Sequence, residues 1–185
     1  MPSSMSAVDR VLDAAARKGV ELKVVTFSQS THTAEEAAAA VGAELGQIVK
    51  SLVFLVPGEE GPEACLALVS GANTADIARL GAVLGEPRIR RATADEARQL
   101  TGYVIGGIPP FGHRRPLRTV MDPDLGRFES VWAAAGTPNA VFEVPPATLR
   151  ILANAVVAPL ARGEPSVEPP QSRVDEQTAG ASSAR

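Results

Sequence analysis

The stretch richest in chemical possibility is Gly102-Tyr-Val-Ile-Gly106-Gly107-Ile-Pro-Pro-Phe111-Gly112, where glycines and prolines fix the chain in turns and leave the backbone bare. Glycine permits positive φ and lets a ligand approach main-chain N–H groups closely. Such a loop could hold a carbonyl, an oxyanion or a sugar. It lacks the GK[ST] ending of a phosphate-binding P-loop and the spacing of a dinucleotide fingerprint, so neither nucleotide motif applies. A tight structural connection would use the same residues. Lys50 is the second candidate. It heads the apolar run Ser-Leu-Val-Phe-Leu-Val56 in a chain whose 18 basic residues are 15 Arg and only 3 Lys (Lys18, Lys23, Lys50). A lysine there either reaches solvent at a strand edge or faces a pocket, where its ammonium could grip a phosphate or a developing negative charge.

The other candidates are weaker. Cys65 lies inside an apolar run and reads as a small buried hydrophobe. Ser51 neighbours Lys50, but successive strand residues point to opposite faces, which argues against a Ser-Lys dyad. His32 and His113 stand in loops, where a lone histidine is usually solvated. Two histidines and one cysteine make a poor metal set, and no Ser-His-Asp arrangement is spelled out, so no metal and no cofactor are expected. Arg88/Arg90/Arg91 and Arg114/Arg115/Arg118 read as solvated charge; as phosphate grips for RNA each group would have to share a face.

These residues need elements to position them. Ser6 is placed to cap a helix over 6–18 that ends at Gly19, and Leu22–Phe27 is strand-like. Thr33-Ala-Glu-Glu36 spells a capping box for a second helix stopped by Gly42. Two continuous apolar runs, 50–56 and 65–69, joined by a Pro57-Gly58 turn, predict a hairpin in the middle of a buried sheet. Ile77, Leu80 and Leu84 mark a third helix. Thr93-Ala-Asp-Glu96 opens a short fourth, and a last one follows Pro145-Pro146 with Leu149, Leu152 and Ala153. Strands are predicted at 119–121 and 141–144. Helical and extended periods alternate throughout, so the fold class is α/β, mixed α+β.

Length, composition and charge bound the rest. The 185 residues suit one domain, here 1–162. From Gly163 onward three prolines and few branched apolar residues predict a disordered tail over 163–185. No apolar run approaches the roughly 20 residues of a membrane span, and no secretory signal is visible at the amino terminus, so a cytoplasmic protein is expected. A net charge of −3 supplies no global field toward nucleic acid.

Thr33-Ala-Glu-Glu-Ala-Ala, Gln47-Ile-Val-Lys50-Ser-Leu-Val-Phe54, Val69-Ser-Gly-Ala-Asn73, Thr101-Gly-Tyr, Gly106-Gly-Ile-Pro-Pro-Phe-Gly112 and Ala134-Ala-Gly136 follow one another in the order of the YbaK/EbsC family, which this chain resembles over about residues 8–160. That family comprises aminoacyl-tRNA deacylases and is similar to the editing domain of bacterial prolyl-tRNA synthetases. The resemblance implies a curled mixed sheet, partly barrel-like and surrounded by helices, with a central pocket. It implies trans-editing: hydrolysis of the ester of a mischarged tRNA, with tRNA(Pro), such as Cys-tRNA(Pro), as the expected substrate.

Carried over by motif, Lys50 is the catalytic residue. Asn73, Gly106, Gly107, Phe111, Gly112, Ala135 and Gly136 are the substrate-binding set. The family's chemistry, as the resemblance implies it, uses no metal and no protein nucleophile; a terminal ribose hydroxyl of the substrate helps activate water. The partners implied are aminoacyl-tRNA and prolyl-tRNA synthetase, with no membrane and no DNA. Where many relatives have Ser-Gly-Gly, this chain reads Ala134-Ala135-Gly136, without the pocket hydroxyl, and the histidine motif of alanine-specific relatives is absent. A non-catalytic module of the same fold, binding an aminoacyl or nucleotide end beside a synthetase, is the alternative reading.

Overall fold

Four of the five described α-helices begin where a small side chain satisfies the first free N–H groups. A computed structural model describes residues 4–162; the tail expected from residue 163 lies outside them. Helix α1 (Ala7–Ala16) follows Ser6, whose hydroxyl accepts from the Asp9 N–H while the Asp9 carboxylate accepts from the Ser6 N–H. Helix α2 (Ala34–Val41) is capped by Thr33, but its Glu36 carboxylate accepts instead from the His32 N–H, at 2.6 Å. The expected reciprocal box at Thr33 is therefore displaced by one residue. Helix α3 (Ile77–Leu84) is capped by Asp76, and α4 (Ala94–Thr101) has the full Thr93/Glu96 box. Helix α5 (Pro146–Ala153) starts on proline, whose missing N–H is harmless in a first turn.

The strands are β1 (Val24–Thr26), β2 (Val49–Val56), β3 (Glu63–Ser70), β4 (Arg90–Arg91), β5 (Arg118–Met121), β6 (Val131–Ala134), β7 (Ala140–Val144) and β8 (Val156–Val157). They form one sheet in the order β1-β7-β6 and another in the order β4-β2-β3-β5-β8. The β2–β3 hairpin lies inside the second sheet, registered from Val49↔Ser70 to Val56↔Glu63. Its unbroken apolar runs follow from burial on both faces. On one face Phe54, Cys65, Ala67 and Val69 pack with Leu80 of α3 and Leu160; on the other, Val53, Leu55, Leu66 and Leu68 share a core with Val11, Phe142 and Leu149.

The strands form two sheets that do not close into a barrel, so the mixed α/β fold is found without the partly barrel-like closure expected of it. Both sheets have open edges, and among the described residues the one β-bridge between them is the parallel pair Ile48↔Trp132. The cause lies on the outer edge of β2. There β4 pairs at Phe54 and Leu55, and among the described residues β6 forms a β-bridge to this segment at Ile48. Between those two points the sheets diverge, and the mixed α/β body opens into a cavity.

Candidate active site

Strand alternation decides which main-chain groups face that opening. The Ile48 carbonyl accepts from Gly71 on the β3 side, and the Val53 carbonyl accepts from the Ala92 N–H at 3.1 Å on the other. The odd-numbered residues of β2 therefore direct their backbone outward, and Ser51, between the β6 and β4 contacts, has no strand beside it. The cavity there measures about 220 Å³. Its floor is Ile48 and β2 from Val49 to Val53. Ala34 and Ala37 of α2, Trp132 to Ala134 of β6, and Ile105, Gly106 and Ile108 of the glycine-rich loop form the walls. These are mostly apolar. Lys50 and Arg91 bring the cationic groups, with His32 and Thr33 at the α2 end.

Lys50 is half-buried, and its Nζ donates to the main-chain carbonyl of Asn73. Asn73 is itself held: its Nδ2 donates to Asp124 Oδ2 at 2.8 Å, and the Asp124 N–H donates to the buried Asp122 at 2.9 Å. Burial lowers the Lys50 pKa, with Glu35 pulling it up and Arg91 pushing it further down. No carboxylate lies within ion-pair distance of Lys50 among the described residues. An ammonium stripped of part of its water and given one neutral acceptor gains strongly from an arriving anion.

The glycine-rich loop brings fewer groups to the cavity than its composition suggests. Gly106, at φ 89°, lines it. Gly107 is pressed against the Thr137 backbone, where a Cβ would sit 2.7 Å from main-chain carbons. Phe111 belongs to the core, its ring 5.6 Å from that of Phe142. Gly112 takes φ 79° and its carbonyl accepts from the Tyr103 hydroxyl at 2.7 Å. Gly102 accepts from Arg10, whose guanidinium also lies 4.8 Å above the Tyr103 ring. His113 is not solvated: its Nε2 bonds the Pro109 carbonyl at 2.8 Å, and burial lowers its pKa to about 4. Ala135 is fully buried, and Gly136, at φ 104°, lets the turn after β6 pass within contact of Ala7. Lys50 and Gly106 thus meet at the cavity, Asn73 stands behind Lys50, and Gly107, Phe111, Gly112, Ala135 and Gly136 build the walls from behind.

Several cavity residues had no signal in the sequence. Trp132 and Ala133 lie on β6, a strand too short for its alternation to stand out. Arg91 lies on a two-residue strand that exists only because it pairs with Phe54 and Leu55. Ser51 Oγ is buried without a hydrogen-bond partner. Cys65 is buried, its thiol pushed up to about 11 by desolvation, which leaves it unreactive. Among the described residues no three His, Cys, Asp or Glu side chains converge as a metal set, and no helix is long and apolar enough to cross a membrane.

The family model of the aminoacyl-tRNA editing domain matches residues 28–152. The multifunctional Ser/Thr-tRNA deacylase ProXp-y of Escherichia coli K12 is 33% identical over 128 residues, 69% of this chain and 76% of that protein. EbsC of Enterococcus faecalis, described as a proposed Cys-tRNA(Pro)/Cys-tRNA(Cys) deacylase, is 25% identical over 75% of this chain and 82% of its own length. A crystal structure of a proposed trans-editing enzyme for prolyl-tRNA synthetase superposes with a TM-score of 0.77 at 49% identity, covering 87% of this chain and all of that one.

Proposed function

The chain belongs to the aminoacyl-tRNA editing domain family and is a hydrolase of the aminoacyl-tRNA ester bond, and from that premise we propose that it is a free-standing editing enzyme for mischarged tRNA(Pro), Cys-tRNA(Pro) among its substrates. The observation that carries this reading is the desolvated Lys50 at a small, mostly apolar cavity. At about 220 Å³ the cavity falls below the roughly 300–1,000 Å³ of pockets that engulf drug-sized ligands. It has room for the aminoacyl group, with the nucleotide left at the mouth.

In this reading the ester carbonyl lies near Lys50 and Gly106. Lys50 is the catalytic residue: it stabilises negative charge as water adds to the carbonyl carbon, and the C–O bond to the ribose then breaks, releasing the amino acid. Asn73 sets the ammonium through its carbonyl. Gly106 offers bare backbone to the substrate, while Gly107, Phe111, Gly112, Ala135 and Gly136 fix the shape of the site. No protein nucleophile is needed, which suits a cavity whose one serine hydroxyl is sealed away, in a chain whose one thiol is buried in a separate core. The attacking water is oriented by the ribose hydroxyl of the substrate. Ala134 presents a methyl to the cavity, which favours a small side chain without a required hydroxyl contact. Prolyl-tRNA synthetase is the proposed partner, supplying tRNA affinity that a chain of net charge −3 lacks.

The test is single-turnover deacylation of tRNA(Pro) charged with Cys, Ala, Ser or Thr, with and without prolyl-tRNA synthetase. Preferential release of cysteine is expected. Preference for another amino acid would replace Cys-tRNA(Pro), and binding of every mischarged tRNA without hydrolysis would make the chain a recognition module.

A further inference from the structure

Three arginines cluster in sequence at 88, 90 and 91, and the structure separates them. Arg88 is bonded to Glu86, and Arg90 forms a two-pronged pair with Glu96, at 2.7 and 2.9 Å. Strand alternation sends Arg91 to the other face. It lies directly across from Phe54 in the β2–β4 register, so its side chain shares a face with Phe54, Leu52 and Lys50. Its guanidinium sits 5.2 Å above the Phe54 ring and lines the same cavity as Lys50. Among the described residues no carboxylate lies within ion-pair distance of it.

Two cations at one mouth repel each other: Arg91 lowers the pKa of Lys50, and burial lowers that of Arg91. That arrangement is unfavourable in the empty protein and becomes favourable when an anion sits between or beside them. The stacked ring limits the motion of the guanidinium, so less side-chain entropy is lost when it grips a ligand. A guanidinium presents parallel N–H donors that match two phosphate oxygens.

We propose that Arg91 is a substrate-binding residue that grips a backbone phosphate of the single-stranded 3′ end of the tRNA, while Lys50 serves the ester. This rests on the reading of the cavity as an aminoacyl-ester site. Arg91 anchors the nucleotide strand along the β2–β4 edge and so aims the terminal ribose at the cavity. Its neighbours Arg88 and Arg90, tied to glutamates, take no part.

The experiment uses full-length protein and three non-hydrolysable probes. They are a 3′-aminoacylamide of the trinucleotide CCA, the same trinucleotide with neutral methylphosphonate linkages, and the aminoacylamide of adenosine alone. Arg91→Gln should weaken the phosphodiester probe about tenfold, leave the other two within about twofold, and reduce the salt slope of the first by about 0.7. Arg91→Lys should restore part of both the affinity and the slope. Equal losses on all three probes, or no loss on the first, would overturn the proposal, and a thermal melt of each variant separates misfolding from lost contact. If the protein shows this pattern yet hydrolyses no aminoacyl-tRNA, the reading as an esterase fails and the phosphate grip stands. If it hydrolyses aminoacyl-tRNA without the pattern, the grip fails alone.

Discussion

The outer edge of β2 and the Gly102–Gly112 loop border one cavity, yet they dispose of their polar groups in opposite ways. In and around the loop, donors find acceptors within the protein: the Tyr103 hydroxyl meets Gly112, His113 meets Pro109, and Arg10 meets Gly102. On the β2 edge, Lys50 has one neutral carbonyl, the outward-facing backbone of Ser51 has no strand paired on that side, and Arg91 has no carboxylate within ion-pair distance among the described residues. A satisfied network holds shape, and an unsatisfied edge holds interaction in reserve for a ligand. The conspicuous loop is therefore the frame, and the plain apolar strand is the proposed seat of the chemistry.

Substitution of Lys50 breaks this contrast most severely if the contrast is false. Lys50→Ala should slow single-turnover deacylation by on the order of a hundredfold or more while the melting temperature stays within a degree or two. The fold tolerates the change because the side chain is half-buried and bonds one carbonyl. Lys50→Arg should recover little, since a wider planar group cannot occupy the place of a compact ammonium beside Gly106. Wild-type rates in a well-folded Lys50→Ala protein would remove the edge from catalysis altogether.

The loop should answer to acid instead. His113 ordinarily takes up a proton near 6.5, and burial lowers that value to about 4 in the fold. Between those values the unfolded chain binds the extra proton, so the stabilisation is full above pH 6.5, falls as pH drops, and levels off below about 4. The loss should be on the order of 3 kcal/mol. Denaturant unfolding at pH 7 and pH 4.5 should show a steeper decline for wild type than for His113→Gln; equal declines would place the acid sensitivity elsewhere. Gly107→Ala comes next, because its new methyl would meet the Thr137 backbone at 2.7 Å. Overpacking of this kind costs about 1–3 kcal/mol, or roughly 2–4 °C of melting temperature per kcal/mol in a domain of this size. An unchanged melt would show that the loop and the 137–139 turn yield easily, which a rigid frame does not.

The sequence exposed the frame more readily than the site. Ser6, Thr93 and Pro146 open their helices by local chemistry, and the β2 and β3 runs are apolar because both faces are covered. Glu36 shows the margin of such reading: the residue is right for a capping box, but its carboxylate finds His32. Strand β4 is two charged residues that become a strand only by tertiary pairing, so neither Arg91's side nor its distance from Arg90's partner Glu96 was legible. Lys50 stood out because lysine is scarce here and sits before an apolar run. The cavity around it did not, because it arises where two sheets fail to join, a property no single segment carries.

The smallest effect tests the sharpest edge of the comparison. Ser51 Oγ is buried on the side of β2 that faces the main core, between Val49 and Val53, and makes no hydrogen bond. A buried hydroxyl without a partner costs about 1–3 kcal/mol of desolvation, which an alanine does not incur. Alanine also leaves little void, since only one atom is lost, and it weakens strand propensity only slightly. The two terms oppose each other, and the desolvation term is the larger. Ser51→Ala should therefore stabilise the fold by up to about 1 kcal/mol, read as a rise of a few degrees in the melting temperature. Deacylation should be unchanged, because a hydroxyl sealed from solvent does not reach the substrate. A drop in stability would reveal a partner for Oγ and make the β2 edge as satisfied as the loop. A stable protein with reduced turnover would show that the hydroxyl opens to the cavity when substrate arrives, adding a polar contact to an edge otherwise defined by its two cations.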